Sequence, residues 1–221
     1  MVAQSRSKTL AIANHDREDF SVANYKNEAI YITGGDIAND RTTNSVVVFD
    51  LVTCTFHAGV PMQKSRESHS STSAGYMIAV FGGCDDDGRK LSSIEILDIK
   101  AGNRSPSWQF MNVKAFTRRE YPLTCPIGES KILVCGGQNV FNCREDFFVL
   151  DTQCKTAKKI DNMNIMPQIK FKSESVAYSV QDGIVIALAS VSGKGMCLVR
   201  ADFTSEPYRF EVVSERIDSP I

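Results

Sequence analysis

The sequence predicts an all-β repeat protein, and two recurring patterns support that prediction. An apolar strand running into paired glycines occurs three times at roughly fifty-residue spacing, at 30–35, 78–83 and 132–137. About fifteen residues after each glycine pair comes a second apolar strand ending in aspartate, at 46–50, 94–98 and 147–151. A two-part pattern repeated in this way indicates one array of similar units.

Each unit holds four short strand patterns separated by turn residues, which is the composition of one β-propeller blade. In the last unit Ala189 and Ser190 replace the glycine pair, as expected of a terminal repeat with only one neighbour. The predicted organisation is an N-terminal segment at 1–16, open to interpretation as a strand of another blade, repeats at 17–65, 66–117 and 118–171, and a degenerate fourth repeat with a C-terminal tail at 172–221.

Local residue types explain two features of the repeat. The first strand of each unit is rich in small residues, which fits an innermost strand converging on a narrow central channel. The paired glycines end the next strand, where glycine permits positive φ and close approach of a neighbouring backbone.

Composition limits the classes of partner. The 221 residues carry 25 Lys and Arg against 26 Asp and Glu, so the net charge of -1 supplies no broad positive field for nucleic acid. The polar N-terminus at 1–10 has no apolar signal region, and no later apolar run reaches the length of a membrane span. We therefore predict a cytoplasmic protein with no nucleic-acid or membrane partner. The seven cysteines lack metal-ligand spacing, and no cofactor is expected.

The repeat resembles the kelch motif over nearly the whole chain, from residue 17 to about residue 213. Repeat two displaces the aromatic residue to Trp108 by an insertion, and repeat three has Ala157 at the aromatic position. The first repeat carries the full set of motif residues after its glycine pair: Phe49, Asp50, Phe56, Pro61, Met62 and then Arg66.

The resemblance implies a kelch-type β-propeller, a fold that usually closes with six blades. About four repeats fall short of that number, so an open or partial ring is expected, as in a truncated or degenerate propeller. An open ring exposes the faces of its two terminal blades, which predicts self-association.

The resemblance also implies a partner-binding face formed by the glycine-pair loops and by the segments that open each repeat. Arginines bind carboxylates bidentately, which suggests an acidic peptide as the ligand. The same loops contain many aspartates and glutamates, so pairing of these arginines within a solvated surface stays open as the alternative. The candidate partner-binding residues are Arg17, Arg41, Arg66, Arg89, Arg118 and Arg144.

Other candidate sites have weaker support in the sequence. Asp85, Asp86 and Asp87 lie between strands and lack the helices of a calcium-binding EF-hand loop. The histidines His15, His57 and His69 have no motif around them, and His69 fits either a channel or a buried core. Some kelch-like propellers are copper radical oxidases or sugar isomerases, and an acid-base role would fall to Glu67, Glu120 or Glu174.

We therefore predict a non-catalytic protein-interaction module, with no cofactor or metal, that binds a protein partner through its loop face. The alternative is a sugar-binding or sugar-isomerising propeller enzyme.

Overall fold

A computed structural model describes residues 17–37, 41–100, 105–114, 116–139, 146–160, 169–170, 176–181, 183–191, 194–205 and 208–214. These residues form four antiparallel sheets of at least four strands each and one two-stranded hairpin, with no helix among them. The all-β prediction is confirmed, and the sheets are the blades of a partial β-propeller. A helix of the length and apolarity needed to cross a membrane is absent from the described ranges.

Short apolar segments between tight turns form the strands. The first blade and its hairpin comprise β1 (Ser21–Tyr25), β2 (Ala29–Thr33), β3 (Asp36–Ile37), β4 (Arg41–Thr42), β5 (Val46–Asp50) and β6 (Thr55–Ala58). The second and third blades comprise β7 (Ser70–Ala74), β8 (Met77–Phe81), β9 (Ile94–Asp98), β10 (Trp108–Met111), β11 (Leu123–Pro126), β12 (Lys131–Cys135), β13 (Phe147–Asp151) and β14 (Thr156–Lys159). The fourth comprises β15 (Ile169–Lys170), β16 (Val176–Gln181), β17 (Ile184–Val191), β18 (Gly195–Asp202) and β19 (Arg209–Val212).

The first three blades have the same up-and-down topology, because each strand pairs with the one before it in the blade. Their orders are β1-β2-β5-β6, β7-β8-β9-β10 and β11-β12-β13-β14. In the fourth sheet β17 pairs with both β16 and β15. Residues 169–170, which the sequence prediction assigns to the third repeat, thus form a strand of the fourth sheet.

The innermost strand of each blade adjoins the innermost strand of the next blade. β1 packs beside β7, β7 beside β11, and β11 beside β16. No comparable packing joins β16 to β1 within the described residues. Within the described residues the blades therefore form an arc, and the first and fourth blades do not close it into a ring.

Apolar cores lie between adjacent blades, as repeat architectures require. The second blade shows how one strand serves two cores, because alternate residues of β8 point to opposite faces. Ile78 and Val80 pack toward the first blade, whereas Ala79 and Phe81 pack toward the third. All four side chains are fully buried. Across the next interface, Phe147 of the third blade packs edge-on against Phe210 of the fourth.

Hydroxyl groups join the inner strands. The Ser21 hydroxyl accepts hydrogen bonds from the backbone N–H of Ser71 at 2.8 Å and from the Ser71 hydroxyl at 2.9 Å. The hydroxyls of Ser70 and Thr124 lie 2.6 Å apart across the next interface. Small hydrogen-bonding side chains thus let these strands approach closely, which is why the first strands are rich in serine and threonine.

The aspartate that ends each third strand caps the following turn. Asp50 accepts backbone N–H bonds from Val52 and Thr53. Asp151 does the same in the third blade, and Asp98 accepts the N–H of Lys100 at 2.9 Å. The repeated aspartate is therefore a turn-forming residue.

Candidate functional site

The antiparallel strand order divides the loops between two ends of the blades. One end carries the loops that join the second and third strands, together with the segments that open each repeat. We call this end the loop face; its described parts lie at 17–20, 34–37, 41–45, 66–69, 82–93, 118–122 and 136–139. The other end carries the turns within each strand pair, at 26–28, 51–54, 75–76, 99–100, 127–130 and 152–155, and we call it the turn face.

In each of the first three repeats, an arginine near the start of the repeat turns its side chain inward and binds its own blade. Arg17 donates to the carbonyl of Gly34 at 2.8 Å and to the Ser45 hydroxyl at 2.7 Å. Arg66, which is fully buried, donates to the Gly82 carbonyl at 2.6 Å and forms an ion pair with Glu95 at 2.5 Å. We call these residues and Arg119 the opening arginines.

Arg119 repeats this arrangement in the third blade. It is fully buried and donates to the carbonyl of Gly136 at 3.0 Å. Its guanidinium also binds the Asp146 carboxylate through two hydrogen bonds, of 2.6 and 2.8 Å. The first glycine of each pair thus supplies a carbonyl that an opening arginine binds, in three successive blades.

The backbone of an opening arginine binds the preceding blade. The carbonyl of Arg66 accepts the N–H of Gly35 at 2.8 Å, and the Arg66 N–H donates to Thr43 at 3.2 Å. The carbonyl of Arg119 likewise accepts the N–H of Gly83 at 2.9 Å. Each of these two arginines therefore connects adjacent blades, the backbone to one and the side chain to the next.

The second blade's glycine pair is shaped by this contact. Gly82 has φ +62°, which L side chains rarely adopt, and a Cβ there would overlap the carbonyl oxygen of Arg119. Glycine is required because the backbone of the next blade lies where a side chain would begin.

The predicted partner-binding arginines fall into two groups by position. Arg17 and Arg66 face the interior of their own blades, so their guanidinium groups are engaged by the fold. In the third repeat this position belongs to Arg119, and its neighbour Arg118 is exposed. Arg41 and Arg89 are exposed, and Arg89 pairs with Asp87. Arg144 lies outside the described residues.

Carboxylates face the central part of the loop face. Burial raises the pKa of Glu67, and so do the negative charges of four neighbours. The Glu67 carboxylate has no hydrogen bond or ion pair within the described chain, and one buried oxygen of Asp36 also lacks a partner there. The carboxylates that surround Glu67 are, in order of their effect, Asp36, Asp19, Asp86 and Glu120.

Glu120 occupies the position of Glu67 in the next blade, and its carboxylate is bound by neighbouring side chains. Its carboxylate accepts hydrogen bonds from the Cys84 thiol at 3.0 Å and the Gln138 amide at 3.1 Å, and it pairs with Lys90. Burial opposes ionisation, but these donors outweigh it and lower the pKa of Glu120. Burial, and then the adjacent Glu120, raise the pKa of the Cys84 thiol to about 12, so the sulfur stays protonated and unreactive.

The remaining candidates have structural roles. Asp85 accepts the N–H of Asp87 and Arg89, and Asp86 accepts the N–H and hydroxyl of Thr42 in the first blade. The Asp85 bonds fix the conformation of the loop, and the Asp86 bonds connect it to the first blade. No group of three or more His, Cys, Asp or Glu side chains with metal-binding geometry occurs in the described residues.

His69 is a buried histidine between two blades. Its Nε2 lies 2.8 Å from the Thr33 hydroxyl. Burial, and then the charges of Arg66 and Arg17, hold the pKa of His69 well below its ordinary value. His57 is exposed on an outer strand, whereas His15 and Glu174 lie outside the described residues.

Comparison with known proteins identifies the repeat. The KLHDC2/KLHL20/DRC7 Kelch-repeats domain family matches residues 5–187. The chain belongs to the kelch-repeat family. Kelch-repeat domains generally mediate protein–protein interaction and are typically non-enzymatic. No curated protein matches the kelch chain described here.

The sequence prediction assigns Arg118 to the opening position of the third repeat, although a dipeptide pattern in the sequence indicates Arg119. Arginine followed by glutamate occurs at 17–18 and 66–67, and the same dipeptide recurs at 119–120. Aligning on this dipeptide selects Arg119 over Arg118. It also places Glu18, Glu67 and Glu120 at equivalent positions, where each forms a β-bridge to the residue after its glycine pair.

Proposed function

We propose that this chain is a non-catalytic protein-interaction module that binds a partner through its loop face, and that the partner contributes a cationic segment. The observation that carries the proposal is the group of carboxylates around Glu67, which lies where the loops of adjacent blades meet. Family membership supports the general role in protein binding.

Charge distribution favours a cationic partner over the acidic peptide expected from the sequence. The opening arginines Arg17, Arg66 and Arg119 are engaged by carbonyls, hydroxyls and carboxylates of their own blades. The Glu67 carboxylate makes no hydrogen bond or ion pair in the described part of the chain, and its ionisation is opposed by burial and by neighbouring negative charges. A lysine or arginine placed there relieves that repulsion and satisfies unpaired oxygens.

Fluorescence anisotropy with labelled peptides tests the proposal. A lysine- and arginine-rich peptide should bind more tightly than a neutral peptide of equal length, and binding should weaken with added salt. Glu67→Gln combined with Asp19→Asn should weaken it about three- to tenfold, since each charge that solvent reaches contributes up to about 1 kcal/mol.

Glu129→Gln is the matched control, because it removes an exposed carboxylate from the turn face. Equal binding by the wild type, the control and the loop-face variant would contradict a cationic partner at this face. Turnover of a sugar that disappears in Glu67→Gln would contradict the non-catalytic role and favour the enzyme alternative.

A further inference from the structure

The turn face carries a groove of about 470 Å³ in which three blades meet. Lys26 comes from the first blade, Tyr76 and Lys100 from the second, and Glu129 and Gln153 from the third. A concave site of this size with a few converging polar groups is typical of ligand-binding pockets. The groove lies at the end opposite the loop face.

Two ammonium groups converge on one tyrosine in this groove. The Nζ of Lys26 lies 3.5 Å from the centroid of the Tyr76 ring, and that of Lys100 lies 3.9 Å from it. Neither lysine has a carboxylate within ion-pair distance in the described residues. The aromatic ring offsets only part of this charge, so two like charges lie close together with no ion-paired carboxylate in the described residues.

The nearby acidic residues compensate this charge only in part: the charge of Glu28 acts favourably on Lys100, but no ion pair joins them in the described residues. Asp98 caps its turn by accepting the N–H of Lys100 at 2.9 Å, as its counterparts do in other blades. The Glu129 side chain is exposed on the third blade, while its backbone carbonyl lies against Gly75. The positive charge is thus concentrated at Tyr76, on the wall that the first two blades form.

Tyr76 adds a third donor beside the two lysines. The ammonium groups of Lys100 and Lys26, within hydrogen-bonding reach of its oxygen, lower the pKa of the Tyr76 phenol. A more acidic hydroxyl is a stronger hydrogen-bond donor to an anion. Tyr76 is 41% exposed and both lysines are also exposed, so the three groups are accessible from solvent.

We infer that this groove binds an oxyanion, a carboxylate or a phosphate, on an acidic peptide of a partner protein. Lys26 and Lys100 supply the counter-charge and the Tyr76 hydroxyl supplies the third donor. An anionic membrane is less suited, since lipid recognition uses a broad cluster of basic residues and this groove is concave with an acidic residue on its rim. The site is separate from the loop face and opposite to it in charge.

The test uses three labelled peptides of equal length: one rich in glutamate, one with phosphoserine in place of glutamate, and one neutral. The two acidic peptides should bind, and their relative affinity distinguishes carboxylate from phosphate. Lys26→Gln and Lys100→Gln should each weaken binding about three- to fivefold, and together about tenfold or more.

Lys64→Gln is the matched control, because Lys64 is an exposed lysine whose Nζ lies 5.9 Å from the centroid of another exposed ring, Phe110. This control should bind as the wild type does. Glu67→Gln should also leave acidic-peptide binding unchanged, so failure here and failure of the cationic-partner proposal are distinguishable. Glu129→Gln should strengthen binding, because it removes an exposed carboxylate from the described lining of the groove.

Three results would overturn the inference. One is the absence of binding to either acidic peptide at about 1 mM, a concentration at which even weak recognition is measurable. Another is equal binding by the wild type and the Lys26→Gln, Lys100→Gln double variant. The third is binding only to vesicles containing phosphatidylserine and not to peptides, which would assign the groove to a membrane surface.

Discussion

Replacing Arg66 by alanine distinguishes a structural opening arginine from a partner-binding one. The substitution removes a fully buried guanidinium that binds the Gly82 carbonyl at 2.6 Å, the Ser93 hydroxyl at 3.1 Å and Glu95 at 2.5 Å. Glu95 is itself fully buried, so its charge is left without a cation. We expect a large loss of stability and no direct effect on partner contacts.

The size of the loss follows from the burial of both partners. Removing one member of a buried ion pair costs about 3–5 kcal/mol. Glu95 keeps backbone N–H bonds from Gln63 at 2.7 Å and Lys64 at 3.2 Å, which favours the lower part of that range, about 3–4 kcal/mol. For a chain of this size about 1 kcal/mol shifts Tm by about 2–4 °C, so Tm should fall by about 6–16 °C.

Urea and thermal unfolding measure this effect, with the fluorescence of the single tryptophan, Trp108, as the signal. Arg118→Ala is the control, because Arg118 is exposed and should change stability by no more than about 0.5 kcal/mol. Arg66→Met combined with Glu95→Leu should recover most of the loss, since apolar replacement of a whole buried pair is often close to neutral. An Arg66→Ala protein as stable as the Arg118→Ala control would refute this reasoning.

Three further predictions concern the loop-face charge, the glycine pair and the open arc. Glu67→Gln should raise the free energy of unfolding by at most about 1 kcal/mol, because solvent screens the group. The folded pKa of Glu67 is raised, so its ionised form destabilises the fold above that pKa. The gain that urea melts measure should therefore shrink as pH falls toward the ordinary glutamate range. Gly82→Ala should lower the free energy of unfolding by at least about 2 kcal/mol in the same melts. Gly128→Ala should be close to neutral, because no atom lies within 4 Å of the added Cβ. Light scattering should give a mass above 24.4 kDa that falls on dilution, because Phe20 and Val22 are 44% and 47% exposed on the first blade; a monomer at every concentration would argue against self-association.

The architecture was predictable because its determinants are local. Alternating apolar residues, the glycine pairs and the aspartates that cap the turns each act within a few residues of the chain, so the sequence displays them directly. The first three blades follow the expected order of four strands. The small residues of the first strands also have the role inferred for them, since Ser21 and Ser71 join adjacent inner strands.

The direction of the opening arginines was not predictable in the same way. Whether Arg66 faces solvent or the interior depends on Glu95, which lies 29 residues away and is brought beside it only by the folded blade. Arg118 and Arg119 are adjacent and chemically identical, and burial of one rather than the other depends on the register of the whole repeat. The groove around Tyr76 has the same origin, because Lys26 and Lys100 belong to different blades and to no shared motif.

The bonds of the opening arginines bear on how such a chain can change in length. Arg66 and Arg119 each make the same backbone bond to the blade before and the same side-chain bond to the blade they begin. A segment cut between two such arginines therefore carries one complete set of donors and acceptors. Duplication or deletion of that segment leaves the same hydrogen bonds between the blades on either side of it. Gain or loss of a blade in the gene can therefore leave the contacts between the remaining blades intact.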